Sequence, residues 1–340
     1  MKKESAYPLP RDYRLAFEDL RVVARGVKRP ECVLALASGE LLASHGEGGY
    51  SRVLSDGSVH HVLPAAGRGA TAARSYVPNG IALAPDGRVL FADLGAHHGG
   101  IFALASDGAL ECLVHSVGGG PIAPSNYVTV DAGGTLWLTV STRRSPRSEA
   151  WTPTVNDGYI AVQDKDGVRI LADGLGYTNE VAFSPDGRWL YVNETYAQCV
   201  SRFELRPGPA LGPKEIVARL GGANLPDGLT FDAHGGLWLS CIASNRLILL
   251  RPDGELQTIL EDTDPAHEEL VMHGVKTASL QHATMQTAGR SRLGNISSLA
   301  FGGPDLRTAY LGCLLDDVIR AFDCPLPGLP TAHWRRSVAA

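Results

Sequence analysis

A polar residue recurs at one position of an internal repeat, five times along the 340-residue chain. Each copy begins a similar alternating apolar stretch, as in Asn79-GIALAPDGRVLFA and Asp227-GLTFDAHGGLWLS. The spacings between copies are 48, 47, 53 and 48 residues, and a sixth copy begins at Ser298, 71 residues after the fifth. Repeats of this length indicate equivalent supersecondary units that stack side by side. The five polar residues are Glu31, Asn79, Asn126, Asn179 and Asp227.

Within each unit, short alternating runs are separated by turns such as Pro85-Asp86-Gly87 and Asp253-Gly254. Asp-Gly between such runs is typical of a β-hairpin, and the type I′ turn that this pair favours needs positive φ. Four short strands in a unit of about 45 residues form one blade of a β-propeller. The sequence therefore predicts an all-β fold, a single six-bladed β-propeller domain over residues 1–340. Its blades have four antiparallel strands each and start near residues 31, 79, 126, 179, 227 and 298.

The last blade needs an outer strand from elsewhere in the chain, because the sixth copy has no clear fourth strand. The segment 14–26, which contains FEDLRVVARG, has the pattern of the fourth strands of other units, such as ELQTIL. We expect this N-terminal segment to complete the last blade and close the ring, which removes an exposed sheet edge. Helix content is expected to be low.

Charge and hydropathy exclude several classes of function. The net charge is −5 and no stripe of Lys and Arg is present, so a nucleic-acid partner is not expected. No apolar run approaches the roughly 18 residues that span a membrane, and the first residues lack the apolar core of a secretory signal. The six cysteines form no CxxC pair, so we expect small buried thiols in a reducing cytoplasm, although their even number also permits disulfides.

Equivalent positions in a closed ring of repeats lie at equal distances from its axis, so the five polar side chains are expected to converge. Glu31 and Asp227 offer carboxylates, and the three Asn residues offer amide oxygens. Such oxygens suit Ca²⁺, which accepts roughly six to eight of them, whereas zinc sites use Cys and His. The simpler alternative is that Asn and Asp here only favour turns. We predict a site for Ca²⁺, or for another divalent cation such as Zn²⁺, Mn²⁺ or Mg²⁺, with the ligands Glu31, Asn126, Asn179 and Asp227.

Propeller topology places further loops at the same end of the ring. The connection into the first strand of a blade shares that end with the loop between its second and third strands. The long segments 141–155 and 261–295 are therefore expected beside the polar ring, where long loops often act as lids. An Arg there can bind a substrate carboxylate, and a His can protonate a leaving alkoxide. Candidate substrate contacts are Asn79, His97, His98, Arg143, Tyr196 and His273, with Trp151 and His282 on the same loops.

Three segments carry a family resemblance: YTNEVAFSPDGRWLYVNET, LPDGLTFDAHGGLWLSC and PSNYVTVDAGGTLWL. They resemble the senescence marker protein/gluconolactonase (regucalcin-like) family, a set of six-bladed calcium-dependent propellers that is similar also to diisopropyl fluorophosphatase and, more remotely, to paraoxonases. The resemblance covers about residues 14–323. It implies that Glu31, Asn179 and Asp227 are metal ligands and that Asn126 binds either metal or substrate. The chain differs from the family around Glu31, where Arg29-Pro30-Glu31-Cys32 replaces Gly-Glu-Gly-Pro.

Site and resemblance together predict a divalent-metal-dependent hydrolase of a small lactone or related ester. The metal would polarise the carbonyl and activate water, with Asp227 as general base or as nucleophile and Asn126 orienting the substrate. Three alternatives remain: phosphotriester hydrolysis on the same metal, a condensing enzyme similar to strictosidine synthase, and a propeller that binds a partner without catalysis.

Overall fold

Six four-stranded antiparallel sheets, arranged as a six-bladed β-propeller, account for nearly all regular structure. A computed structural model describes residues 7–65, 75–95 and 99–339. The innermost strands of neighbouring blades pack against one another around the ring, and that of the sixth blade packs on that of the first. The predicted fold class is confirmed.

Each blade is built from strands that are consecutive in the chain, except that β1 (Arg21–Arg25) belongs to the last blade. A two-stranded hairpin, β10 and β11 (Ser116–Val117 and Gly120–Pro121), separates the second and third blades. From the innermost strand outwards, the first three blades are β2 to β5 (Val33–Ala35, Leu41–Ser44, Tyr50–Val53, Val59–Val62), β6 to β9 (Pro78–Leu83, Val89–Asp93, Ile101–Leu104, Leu110–Val114) and β12 to β15 (Ser125–Val130, Leu136–Val140, Gly158–Asp164, Gly167–Leu175).

The remaining blades repeat this pattern, and the short helices lie in loops. Blades four to six are β16 to β19 (Thr178–Phe183, Trp189–Glu194, Cys199–Arg206, Ala210–Arg219), β20 to β23 (Asn224–Phe231, Leu237–Ala243, Arg246–Leu250, Leu256–Glu261) and β24 to β26 (Ile296–Gly302, Thr308–Cys313, Val318–Asp323) completed by β1. The helices are α1 (Pro265–Thr277) and α2 (His282–Met285), with 3₁₀ turns at Phe17–Asp19 and Arg147–Ala150. No helix of the described residues is long and apolar enough to cross a membrane.

Strand β1 closes the ring, as predicted. It pairs antiparallel with β26, with Arg21 opposite Ala321 and Arg25 opposite Val318. Ala24 and Val27 are buried there in a cluster that also holds Ile319. Because the outer strand of the last blade comes from the N-terminal part of the chain, this blade joins distant parts of the sequence, and β26 is not left as an exposed edge strand.

The turns at Asp86-Gly87 and Asp253-Gly254 are three-residue loops rather than the predicted type I′ turns. Gly87 has a φ of 84°, but Asp86 does not have a positive φ. The Ala84 carbonyl accepts a hydrogen bond from the Gly87 N–H (3.0 Å), and the Ala84 N–H donates to the Arg88 carbonyl (2.9 Å). This geometry needs the left-handed conformation only at the glycine. Asp86 stabilises the turn through its side chain, because its carboxylate accepts a hydrogen bond from the Arg88 N–H (3.1 Å), a role typical of Asp in turns.

The insertion between the fifth and sixth blades is helical, which the repeat pattern did not predict. Helix α1 has Asp264 as its N-cap, with Oδ1 accepting from the Ala266 N–H (3.1 Å), and it ends at Ala278, whose φ is 54°. Its buried residues Val271 and Val275 pack in a cluster with Tyr177, Tyr196, Leu225, Ile242 and Met285. Apolar burial therefore holds the helix against residues of the fourth and fifth blades.

Candidate active site

The five polar residues of the repeat line a single cavity of about 360 Å³ at one end of the channel. Each is at most 4% exposed. They come from five different blades, so only the closed ring brings them together. The structure therefore assembles Glu31, Asn79, Asn126, Asn179 and Asp227 on one wall.

Irregular strand pairing positions four of the five. The innermost strand of each of these blades shifts its register against the second strand where the polar residue occurs. A β-bulge of this kind bends the strand and redirects a side chain, and bulges are common beside active sites. The shifts lie between Pro78 and Ile81, Ser125 and Tyr127, Thr178 and Val181, and Pro226 and Leu229.

Two of the polar residues are followed by glycine because the next blade comes very close. A Cβ on Gly80 would lie 2.7 Å from the Cα of Tyr127 in the third blade. A Cβ on Gly228 would lie 2.9 Å from the Oγ of Ser240, and closer still to the Ser297 carbonyl oxygen of the sixth blade. Only glycine fits at such a backbone approach.

Three residues of the wall keep a buried oxygen with no hydrogen-bond partner among the described residues. These atoms are Glu31 Oε2, Asn126 Oδ1 and Asn179 Oδ1. Each unpartnered buried polar atom costs about 1–3 kcal/mol, so three on one wall indicate that a ligand completes them. The Asn179 amide donates to Thr195 Oγ1 (3.0 Å) and to Asp227 Oδ1, which leaves its own Oδ1 available.

Asn79 differs from the other Asn residues because both ends of its amide are occupied. Its Oδ1 accepts from Arg29 Nη2 (2.8 Å), and its Nδ2 donates to the Asn126 carbonyl oxygen (3.0 Å). Arg29 also donates to the Pro78 carbonyl oxygen (2.9 Å). Asn79 therefore supports the wall instead of offering a free oxygen to the cavity.

Burial perturbs both carboxylates of the wall. Burial and the neighbouring Asp227 carboxylate raise the pKa of Glu31 to about 8, with the Arg29 guanidinium opposing them. Burial raises the pKa of Asp227 to about 7, against the hydrogen bond from Asn179 and the charges of Arg29 and Arg147. A cation bound between the two carboxylates would favour their ionised forms and lower both pKa values.

The donor set of the wall fits a hard cation. It consists of two carboxylates and two amide oxygens that lack partners, with no Cys or His among them. Ca²⁺ prefers such oxygens, whereas zinc sites draw on Cys and His. Within the described ranges no group of three or more His, Cys, Asp or Glu side chains could hold a metal, so a metal site at this wall has to include the amides of Asn126 and Asn179.

The other residues predicted from the sequence divide into those inside and those outside the cavity. Tyr196 lines it and is buried, with its ring 4.8 Å from that of Tyr177. The structure places Arg143 outside, in an exposed ion pair with Asp173 (2.8 Å). His273 is exposed on α1 and does not line the cavity. His97 and His98 lie outside the described residues.

Loop residues complete the cavity with an aromatic wall. The Trp151 ring stacks on Tyr196 (6.1 Å between centroids) and on His282 (5.9 Å), and its Nε1 donates to the Tyr177 hydroxyl (3.1 Å). Arg147 also lines the cavity, on the 3₁₀ turn that directly precedes Trp151. Sequence reasoning missed Arg29, Arg147, Tyr177 and Thr195, because none of them occupies the repeat position; only Arg29, two residues before Glu31, had a sequence cue.

Fold and cavity together define a six-bladed propeller with a cavity lined by carboxylate and amide oxygens at one end of its channel. Within this class, the chain belongs to the SMP-30/Gluconolactonase/LRE-like family, whose sequence model matches residues 54–263. The resemblance found in the sequence is thus confirmed. The matched range contains Asn79, Asn126, Asn179 and Asp227, and Glu31 lies before it.

Individual relatives are distant. The chain is 25% identical over 217 residues to the 6-deoxy-6-sulfogluconolactonase of Pseudomonas putida, covering 62% of each protein. It is 26% identical over 157 residues to the pentonolactonase XacC of Haloferax volcanii, covering 45% of this chain and 44% of that protein. The solved gluconolactonase of Xanthomonas campestris has a TM-score of 0.64 at 21% identity, over 91% of this chain and 89% of that one, which shows a shared fold.

Proposed function

We propose that this protein is a divalent-metal-dependent hydrolase of a lactone. The observation that carries the proposal is the set of buried, unpartnered oxygens of Glu31, Asn126 and Asn179 beside the Asp227 carboxylate on one cavity wall. A cation bound there would satisfy these oxygens and offset the cost of burying them unpartnered. The names of the relatives support a lactone as the substrate, since two of them are a sulfogluconolactonase and a pentonolactonase.

Glu31, Asn179 and Asp227 would hold the cation, with Asn126 as a further ligand or as a contact to the substrate. A bound divalent cation would supply positive charge to the carbonyl oxygen of the lactone as negative charge develops there. Thr195 keeps the Asn179 amide in place, because its Oγ1 accepts from Asn179 Nδ2 and donates to the Pro226 carbonyl oxygen (2.8 Å). This hydrogen-bond chain orients the ligand oxygen.

Asp227 would take a proton from the attacking water, or attack the carbonyl carbon itself. Its side chain lies on the cavity wall, and a bound cation would keep its carboxylate ionised, the form that a general base or a nucleophile needs. Asn126 would hold the substrate carbonyl group in position. The aromatic wall of Trp151, Tyr177 and Tyr196 would cover the ring and exclude water from that side.

Chelation tests the proposal. Lactone hydrolysis is followed by the release of acid, in protein freed of divalent cations and then supplied with Ca²⁺. We expect activity to disappear on chelation and to return with Ca²⁺, and calorimetry to detect Ca²⁺ binding to the wild type but not to Glu31→Gln. Full activity in protein that calorimetry shows to be cation-free would contradict the metal dependence. A phosphotriester and an aryl ester in the same assay separate lactonase activity from the other hydrolytic functions, and a binding propeller would hydrolyse none of them.

A further inference from the structure

Two arginine side chains, Arg29 and Arg147, line the cavity without forming a close ion pair in the described part of the chain. Among the described residues, neither Arg29 nor Arg147 lies within 4.0 Å of a carboxylate oxygen, although most arginines of the blades form ion pairs. Arg29 is occupied by the Pro78 and Asn79 oxygens. Arg147 is not: Nη2 donates to Ser141 Oγ (3.1 Å), whereas its buried Nε has no partner in the described part of the chain.

The position of Arg147 is fixed by its surroundings. Its guanidinium lies over the Tyr177 ring, 5.4 Å from the centroid. The same Tyr177 hydroxyl accepts from Trp151 Nε1, so Arg147 and Trp151 are both anchored to this ring. A guanidinium has five donors in a rigid fork, and one held in this way is organised to bind a planar or tetrahedral anion.

The charges of the cavity agree with an anionic ligand. With a cation bound, Glu31 and Asp227 would be ionised, and the charges of Arg29 and Arg147 would balance theirs. The divalent cation of the proposed function would leave two uncompensated positive charges in a partly buried space. A neutral lactone cannot offset them, whereas a lactone that carries an anionic group can.

We propose that the substrate is a lactone bearing a carboxylate, sulfonate or phosphate group, and that Arg147 binds this group. The inference rests on the proposed lactonase function and specifies its substrate class. The aromatic wall would pack against the ring of the substrate while its anionic group reaches Arg147. The arginine that sequence reasoning favoured for such a contact, Arg143, lies four residues away but outside the cavity, and so provides a matched control.

The test compares kcat/KM for glucono-1,5-lactone with its counterparts carrying phosphate, sulfonate or carboxylate at carbon 6. We expect the wild type to prefer at least one of the anionic lactones by about tenfold or more. Arg147→Gln should lower kcat/KM for that lactone about 30-fold, mainly through KM, and change the neutral lactone less than about threefold. Arg147→Lys should retain an intermediate preference, and Arg143→Gln should change neither substrate. The anionic lactone preferred by the wild type identifies the group.

Equal losses on neutral and anionic lactones in Arg147→Gln would overturn the inference and leave Arg147 as a countercharge to Glu31 and Asp227. A wild-type preference for the neutral lactone would overturn it as well. If no lactone is hydrolysed, the proposed function fails separately, and calorimetric binding of gluconate and 6-phosphogluconate then decides. Tighter binding of the phosphate, lost in Arg147→Gln but kept in Arg143→Gln, supports the anion site; equal binding contradicts it. Circular dichroism verifies that each variant is folded.

Discussion

The two ends of the propeller channel use the same kinds of side chain in opposite ways. At the cavity end, the oxygens of Glu31, Asn126 and Asn179 are buried without partners. At the opposite end, Asp131 and Asp232 follow the innermost strands of blades three and five, and both oxygens of each carboxylate accept hydrogen bonds. Residue type and repeat position alone therefore do not distinguish a structural carboxylate from a functional one, whereas the presence of hydrogen-bond partners does.

Asp232 illustrates the structural end. Its Oδ1 accepts from the N–H groups of His234 (2.8 Å) and Gly236 (3.0 Å), and its Oδ2 accepts from Trp238 Nε1 (2.9 Å) and from the Tyr7 hydroxyl. Trp238 is completely buried, so this carboxylate satisfies a core indole N–H and closes a turn at once. No lone pair is left over for a ligand.

Cavity volume alone would favour the opposite end of the channel as the ligand site. The opposite end opens into a larger cavity of about 690 Å³, lined largely by apolar side chains such as Val33, Ile81 and Leu299. Its unpartnered oxygen is Glu180 Oε1, next in sequence to Asn179, and burial raises the pKa of Glu180 well above its usual value. One carboxyl group that is favoured in its neutral form makes a poorer cation site than the two carboxylates and two amide oxygens of the wall at the other end.

The largest effect is expected from Asp227→Asn at the cavity end. Loss of one negative charge from the proposed cation site and of the proposed base should lower kcat/KM for lactone hydrolysis about 1,000-fold, or about 4 kcal/mol. The melting temperature should be unchanged or higher, because a buried carboxylate next to Glu31 is removed. The control is Asp173→Asn, which changes an exposed carboxylate of blade three. A variant that keeps more than a tenth of the activity would remove Asp227 from catalysis.

Asp232→Asn should produce the opposite result. The amide NH₂ would face donors that now bond to a carboxylate oxygen, so the free energy of unfolding should fall by about 2–4 kcal/mol. Measured below the lowered melting temperature, kcat/KM should stay within about threefold of the wild-type value. Denaturant unfolding and initial rates on the same samples make the comparison. Loss of activity without loss of stability would mean that the presence of hydrogen-bond partners does not distinguish the carboxylates at the two ends of the channel.

The sequence predicted the architecture well because the repeat encodes it. The repeat spacing, the turns and the alternation of apolar and polar residues predicted six blades and the closing strand β1. The recurring polar position predicted the five wall residues. The rest of the cavity comes from loops that have no repeat equivalent. Arg147, for example, reaches the cavity through a 3₁₀ turn whose path depends on packing against Tyr177, whereas Arg143 in the same loop turns outwards. Loop paths of this kind depend on tertiary contacts that no local pattern records.

A smaller effect is expected in the pH dependence of stability without divalent cations. The pKa values of Asp227 and Glu31, about 7 and about 8 in the folded protein, lie above the ordinary values of 3.8 and 4.5. The folded state therefore binds more protons than the unfolded state between these limits, so stability falls as pH rises from about 4 towards 8. Relative to the double variant Glu31→Gln/Asp227→Asn, the wild type should become steadily less stable across that range.

Thermal unfolding from pH 5 to pH 8 measures this difference. Saturating Ca²⁺ should abolish it at pH 8, because the cation binds the ionised carboxylates of the folded state only. The Asp232→Asn variant should keep the wild-type dependence of stability on pH, since its substitution lies at the other end of the channel. Identical slopes in the wild type and the double variant would show that the two carboxylates are not destabilised in the cation-free fold.

A small effect on activity is also expected from Asn79→Ala, and this variant tests the same distinction within the cavity itself. Asn79 has both amide ends bonded, to Arg29 and to the Asn126 carbonyl oxygen, so its loss should cost about 1–2 kcal/mol of stability and no more than about fivefold in kcat/KM. Asn179→Ala removes an unpartnered oxygen and should weaken Ca²⁺ binding by calorimetry at least tenfold more than Asn79→Ala does. Equal loss of Ca²⁺ affinity in the two variants would mean that Asn79 shares the cation despite its existing hydrogen bonds, and the rule drawn from the two channel ends would then fail at the site where it matters most.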